Sequence, residues 1–139
     1  MNAKEYLSRY IQLGREIAAK EAEIKELQDK LYSLPSALKE APVMGGGGSD
    51  RLTNLLSNII DKQKEIKADV RHLMRIREEI ENTINAVTDC DQRTVLIYRY
   101  LCGVSYEDIA QYMSYSLRKI HYLHGQALQA VKLPQKKEA

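Results

Sequence analysis

The side chains best suited to chemistry in this sequence lie near its C-terminus, on one predicted helix. The outward positions of this helix carry hydrogen-bond donors and acceptors: Ser116, Arg118, Lys119, His121, Tyr122 and Gln126. No acidic residue lies between Ser116 and Lys137, so no carboxylate there repels a polyanion. The planar guanidinium of Arg118 fits a guanine edge, and the ammonium group of Lys119 fits a phosphate. This pattern predicts a surface that binds nucleic acid.

A short helix and a turn are expected to hold this surface in place. Ser105 caps that helix, with Asp108 three residues later, and the turn that follows is Ser114-Tyr115-Ser116. Small Ala110 lies where the two helices must approach each other, as in a helix-turn-helix. The backbone amides of Ser105 and Tyr106, at the positive end of the helix, are further candidates for holding a phosphate.

Residues 88–133 are therefore predicted to form a three-helix DNA-binding domain, followed by a basic tail over 134–139. The first helix begins at Thr88 or Asp89 and ends at Leu101, and the third spans about 117 to 131. The predicted buried positions are mostly apolar: Val95, Leu96, Tyr98, Leu101, Ile109, Ala110, Met113, Ile120, Leu123, Ala127, Leu128 and Val131. The alternative is that these helices only pack beneath a solvated tail.

The first 87 residues are patterned in heptads, which predicts long helices. Alternating steps of four and three link the seam of a first helix: Tyr6, Tyr10, Leu13, Ile17, Lys20 (the one polar slot), Ile24, Leu27, Leu31 and Leu34. A second seam follows the same steps: Leu52, Leu56, Ile59, Gln63, Ile66, Val70, Leu73, Arg77, Ile80, Ile84 and Val87. Residues 35–49, with two prolines and four consecutive glycines, form a linker, and Ser49 or Asp50 caps the second helix.

The predicted fold is all-α: an antiparallel heptad (coiled-coil) hairpin over 1–87, followed by the helix-turn-helix. Leu55, Ile60 and Ile76 widen the apolar face of the second helix beyond one seam. This predicts that the hairpin mediates oligomerisation, as a homodimer joined through the heptad helices. The alternative is a monomeric hairpin that packs on the C-terminal domain.

Several classes of function are not expected. We find no nucleophile–base pair, metal cluster or phosphate-binding loop, so no enzyme, cofactor or metal site is predicted. His121 and His124 lack further zinc ligands at a suitable spacing, and Cys90 and Cys102 lie too far apart along one helix to form a disulfide. The sequence has no apolar run of ten residues, which predicts a cytoplasmic chain without a membrane span.

Two segments of the C-terminal third resemble region 4 of sigma-70-type factors, which reads the −35 promoter element: 93–100 (RTVLIYRY) and 103–110 (GVSYEDIA). Residues 120–128 (IHYLHGQAL), and the long charged helix that precedes the helix-turn-helix, are similar to small phage regulators of the ArpU/RinA type. Those regulators control late genes in phages and prophages of Gram-positive bacteria. The resemblance implies an activator that binds DNA in the nucleoid of the bacterial host, with its contacts in 116–126. This chain has Ser114 where the sigma pattern has Gly.

The leading hypothesis is thus a dimeric, sequence-specific regulator that binds double-stranded DNA and controls phage or prophage genes, with host RNA polymerase as a further candidate partner. One alternative is a DNA-packaging protein like a phage terminase small subunit, which also combines a helix-turn-helix with helical oligomerisation. The other is a coiled-coil adaptor that binds RNA polymerase or another protein without DNA.

Overall fold

The computed structural model describes residues 1–33 and 47–134, and these residues are helical with no strand. Two long helices come first, α1 (Ala3–Tyr32) and α2 (Gly47–Asn85). Three short helices follow: α3 (Cys90–Leu96), α4 (Tyr106–Met113) and α5 (Leu117–Ala130), with a π-helical turn (Ile97–Leu101) directly after α3. The predicted all-α fold, a long helical hairpin followed by a helix-turn-helix, is confirmed.

Most of the predicted linker and of the predicted tail lies outside the described residues. Helix α2 already begins at Gly47, so Ser49 and Asp50 belong to its first turn and do not precede it. The position of Asp50 is still favourable, because a carboxylate in the first turn complements the positive end of the helix dipole. The linker prediction therefore extended about three residues too far.

The contacts divide the chain into two compact units. The hairpin unit is Arg15–His72, and the C-terminal unit is Met1–Gly14 together with the chain from Leu73 onward. The predicted domain boundary between residues 87 and 88 remains a prediction. The C-terminal unit nevertheless contains the first turns of α1 and the last turns of α2 as well as the three short helices.

In the hairpin unit, α1 presents the predicted seam to α2. Ile17 and Ile24 are buried and Lys20 between them is half-buried. The Lys20 ammonium lies 2.6 Å from a carboxylate oxygen of Asp69 on α2, and Lys62 of α2 lies 2.8 Å from Glu23. Polar pairs of this kind favour one register of two helices at some cost in stability, and both of these place a charged residue of α2 on the side that faces α1.

Between Leu52 and Leu73 the predicted seam of α2 is right at every second position and wrong at the others, whereas its last three positions, Ile80, Ile84 and Val87, are all buried. Leu52, Ile59 and Ile66 face inward as predicted, whereas Leu56, Gln63 and Val70 are exposed. The residue one position earlier lies inward in each case: Leu55, Lys62 and Asp69. At these positions Lys62 and Asp69 face α1, where they pair with Glu23 and Lys20.

In the C-terminal unit, the ends of both long helices share a core with the short helices. This Ile80 cluster combines residues of α1, α2, the segment between α2 and α3, α3, the π-helical turn and α5: Tyr6, Leu7, Ile76, Ile80, Ile84, Val87, Leu96, Tyr100 and Ala127. Leu7 is fully buried although it lies outside the predicted seam, and Ile76 is buried in place of the predicted Arg77. The seam includes neither residue, although Ile76 was predicted to widen the apolar face of α2, because a single heptad seam accounts for one packing partner, whereas these helix ends have two.

A second core holds the helix-turn-helix together. This Ile120 cluster consists of Val95, Ile109, Ala110, Ile120 and Leu123, with Tyr98, Val104, Tyr106, Met113 and Tyr115 packed against it. All five buried members were predicted. Leu101, Leu128 and Val131, also predicted, are half-buried against the Ile80 cluster.

The first short helix ends differently from the prediction. It is α-helical only to Leu96 and continues as the π-helical turn, in which the Cys102 amide donates to the carbonyl of Ile97 at 3.1 Å. The turn brings Tyr100 into the Ile80 cluster, while the predicted Tyr98 is only half-buried. The chain then turns at Gly103, whose φ of 69° lies in the left-handed region that favours glycine.

Candidate nucleic-acid interface

The three short helices begin at aspartate and serine caps. The caps at Asp89, one of two candidates with Thr88, and at Ser105 were predicted, whereas the cap at Ser116 was not. The side chain of Asp89 accepts from the Gln92 amide at 2.9 Å and begins α3. Ser105 accepts from the Asp108 amide at 3.2 Å and begins α4, and Ser116 accepts from the Lys119 amide at 3.1 Å and begins α5. Each cap satisfies a backbone donor that the first turn of a helix leaves free.

The turn between α4 and α5 depends on Ser114. Its φ of 58° places it in the left-handed region, and the Tyr115 amide donates to the carbonyl of Ala110 at 3.0 Å. Glycine is favoured at such a position because it has no Cβ to clash with the backbone. Serine therefore makes the same turn at a small conformational cost, and the turn directs the start of α5 away from the core.

The first turns of α5 place the predicted cationic residues in solvent. Arg118 and Lys119 are exposed, and so are Ser116, His121 and Tyr122; the side chain of Tyr122 is 65% exposed. Arg118 makes no hydrogen bond or ion pair within the described part of the chain. Gln126, two turns further along, is half-buried. The exposed part of the predicted surface is thus concentrated at the N-terminal half of α5.

The ammonium group of Lys119 lies over an aromatic ring. It lies 4.0 Å from the centroid of the Tyr115 ring, and the Tyr115 hydroxyl donates to Asp91 at 2.8 Å. This hydrogen bond raises the pKa of the Tyr115 phenol, which therefore stays protonated and keeps donating. Asp91 of α3 thereby fixes the ring against which Lys119 lies, although its carboxylate makes no ion pair with Lys119.

The candidate residues at the start of α4 have different surroundings. Ser105 is exposed, whereas Tyr106 is half-buried with its ring below the Arg99 guanidinium, 4.2 Å from the centroid. The carboxylates of Glu107 and Asp108 belong to the same turn. They already complement the helix dipole, so the start of α4 is a weaker site for a phosphate than the acid-free start of α5.

A histidine that the sequence analysis did not place in the core connects α5 to the rest of the C-terminal unit. The Nε2 atom of His124 lies 2.6 Å from the Tyr100 hydroxyl and 3.4 Å from that of Tyr106. His124 is 8% exposed, and this burial, with the positive charges of Lys4, Arg99 and His121, lowers its pKa to about 4. Burial also raises the pKa of the Tyr100 phenol.

His124 is therefore neutral at pH 7 and acts as a hydrogen-bonding core residue, not as a charged contact to a ligand. The ring of the exposed His121 lies 4.8 Å from that of Tyr106, and the Tyr106 ring lies 5.2 Å from that of His124. The pattern had placed His121 and His124 as an i,i+3 pair, but periodicity does not reveal a buried polar side chain whose partner, Tyr100, is 24 residues away.

The described residues offer no group of histidine, cysteine and acidic side chains that could hold a metal ion. Both cysteines, Cys90 and Cys102, are exposed and unpaired. None of the described helices has the length and apolar character needed to cross a membrane.

Comparison with known proteins agrees with this geometry. Residues 90–131 match the family model described as Sigma-70, region 4, and the match covers α3, the π-helical turn, α4 and α5. No curated protein and no solved structure matches the chain. The resemblance to the ArpU/RinA type of phage regulator has no support from these comparisons. The C-terminal part of the chain is thus a helix-turn-helix similar to region 4 of sigma-70 factors, a DNA-binding family without catalytic activity.

Proposed function

We propose that the chain is a transcription regulator that binds double-stranded DNA in a sequence-specific manner, with α5 in the major groove. The observation that carries this proposal is the acid-free, exposed start of α5 within a segment that matches sigma-70 region 4. An α-helix fits the major groove, and the first turns of the second helix in a helix-turn-helix are the part that meets the base edges.

The exposed side chains divide into two roles. Arg118, free of partners within the described residues, donates two hydrogen bonds to one base edge, with guanine as the preferred base. Lys119 contacts a phosphate, and the Ser116 hydroxyl and the rings of His121 and Tyr122 supply further contacts to the backbone. Gln126, Ser105 and Tyr106 lie at the edge of this surface.

The heptad helices serve a second purpose in this proposal, which is to join two copies. A dimer presents two α5 helices to a repeated or palindromic site, and binding of the first raises the effective concentration of the second. The resemblance of 120–128 to ArpU/RinA-type regulators supports a role as an activator of phage or prophage genes in the bacterial cytoplasm. Contact with host RNA polymerase belongs to that role.

The test is a binding assay on DNA fragments selected from random and phage sequences. Arg118→Ala combined with Lys119→Ala should weaken binding at least tenfold and flatten its dependence on salt, since fewer counterions are released. The matched control is Arg15→Ala with Lys25→Ala, which removes the same charge from exposed positions of α1. An unchanged salt slope in the α5 variant would show that α5 is not the DNA-binding helix.

The same experiment separates the two alternatives. A packaging protein of the terminase type forms a ring of many subunits, which the mass of the complex reveals. An adaptor that binds only protein shows no retardation of any fragment at moderate salt.

A further inference from the structure

The outer face of α2 carries a second row of apolar side chains. This outer row consists of Leu56, Ile60, Gln63, Lys67, Val70 and Met74. Its apolar members are largely uncovered, at 40% exposure for Leu56, 49% for Ile60, 39% for Val70 and 56% for Met74. The row has the four-three spacing of a heptad seam, but it lies on a different side of the helix from Ile59 and Ile66, which face α1.

The outer row is symmetric about Glu65. Leu56 and Met74 lie equally far from Glu65 along α2, as do Ile60 and Val70, and as do Gln63 and Lys67. When two copies of this helix lie antiparallel across a two-fold axis at Glu65, Leu56 meets the partner's Met74 and Ile60 meets the partner's Val70. Apolar residues then meet apolar residues, and Lys67 meets the partner's Gln63.

The central pair distinguishes this arrangement from a parallel one. In a parallel dimer the same positions stack on themselves, so that Lys67 would face the partner's Lys67 and repel it. In the antiparallel arrangement the Lys67 ammonium donates to the side-chain oxygen of Gln63, which is the better pairing. Glu21 of α1 lines the same groove as Ile60, Lys64 and Lys67. The carboxylate of Glu21 therefore lies on the same surface as the ammonium groups of Lys64 and Lys67.

We propose that the outer row is the surface on which a second copy of this chain binds, antiparallel, with the two-fold axis at Glu65. This proposal rests on the proposed function in one respect, which is that it identifies the surface joining the two copies of the proposed dimer. A two-fold interface uses the same patch on both subunits and must be complementary to itself, which the symmetric row satisfies. The spacing of six heptad positions is symmetric whatever residues they carry, so what favours a second copy is the match of residue types, because the two polar positions, Gln63 and Lys67, lie opposite each other and the apolar positions pair among themselves.

Cysteine cross-linking tests the orientation. In a Cys90→Ser/Cys102→Ser background, Ile60→Cys and Val70→Cys chains are purified separately and then mixed. We expect covalent dimers in the mixture and almost none in either sample alone. The matched control is Asn58→Cys mixed with His72→Cys, which are exposed, also equally far from Glu65, and on another face of α2. Dimers of Ile60→Cys with itself, or equal yields from the control pair, would overturn the proposal.

Sedimentation equilibrium gives an independent test. The wild-type chain should have the mass of a dimer at tens of micromolar, and Ile60→Glu should have the mass of a monomer with an unchanged helical CD spectrum. A monomeric wild type, or an Ile60→Glu variant that remains a dimer, would overturn the proposal. The proposed DNA contact is tested independently of the dimer. A monomeric Ile60→Glu chain that keeps its helices should still bind a single half-site through Arg118 and Lys119, with lower affinity.

Discussion

The hairpin unit and the C-terminal unit distribute polar and apolar residues in opposite ways. In the C-terminal unit the Ile120 cluster is entirely apolar, and the buried His124 is satisfied by Tyr100. In the hairpin unit, charged Lys20 and Asp69 occupy inward positions while Leu56 and Ile60 remain outside. The difference teaches that the C-terminal unit pairs its buried polar group internally, whereas the hairpin unit leaves Leu56 and Ile60 exposed on the face of α2 that we propose binds a second chain.

The largest predicted effect is a difference in the free energy of unfolding between two isoleucine-to-alanine variants, one in the Ile120 cluster and one in the hairpin seam. Ile120→Ala should lower the free energy of unfolding by roughly 2–5 kcal/mol, because it leaves a cavity in a fully buried cluster. Ile59→Ala in the hairpin unit should cost less, because Ile59 has half-buried polar neighbours. Urea titrations followed by far-UV CD compare the two variants. Equal costs would show that the hairpin seam is as well packed as the Ile120 cluster.

His124 should make the stability of the C-terminal unit depend on pH. Its folded pKa of about 4 lies below the ordinary value near 6.5, so the unfolded chain binds a proton first as the pH falls. The stabilisation is complete above about pH 6.5 and is lost as the pH falls towards 4, by up to about 3 kcal/mol. Urea titrations at pH 7.5, 6 and 5 measure the loss. His124→Gln should weaken this dependence, whereas His72→Gln on the exposed face of α2 should not.

A smaller effect is expected at the cap of α5. Ser116→Ala removes the acceptor for the Lys119 amide and should cost about 1 kcal/mol. Ser116→Asp keeps the cap but adds a negative charge to the proposed DNA surface, so it should preserve the melting temperature and weaken DNA binding. A matched substitution, Ser105→Asp at the cap of α4, should affect DNA binding less. If Ser105→Asp weakened DNA binding more than Ser116→Asp, the main phosphate contact would lie at the start of α4.

The smallest effect is expected at the ion pair in the hairpin unit. Asp69→Asn keeps the shape of the side chain and removes its charge, and both partners are partly exposed to screening by water and salt. We therefore expect a smaller drop in the urea midpoint than for Ser116→Ala, and no drop at all in 1 M salt. Asp61→Asn, at an exposed position of α2, serves as the control. A large drop would show that this pair dominates the packing of the hairpin.

The sequence predicted best what is decided locally. The caps at Asp89 and Ser105 depend on residues three positions away, and both positions were predicted, Asp89 as an alternative to Thr88. The cap at Ser116 has the same local geometry, but Ser116 was predicted only as part of the turn and of the DNA surface. The members of the Ile120 cluster lie on short amphipathic helices whose inner faces follow directly from the spacing.

What depended on a distant residue was predicted poorly. Asp69 or Val70 could equally have faced inward by spacing alone, and the spacing within α2 does not signal that Asp69 pairs with Lys20 of α1. The buried pair of Tyr100 and His124 depends in the same way on a contact across 24 residues and on a π-helical turn that periodicity does not signal. A search for opposite charges at matching seam positions of the two long helices would have found Lys20 and Asp69.

The most direct test of the DNA surface is an NMR titration of the ¹⁵N-labelled chain with a selected duplex. The account predicts that the largest shifts fall on the amides of Ser116, Arg118, Lys119 and Tyr122, with little change at Arg15–His72 beyond the effects of dimerisation. Saturable binding that leaves the amides of α5 unchanged, or that shifts mainly the hairpin unit, would contradict it.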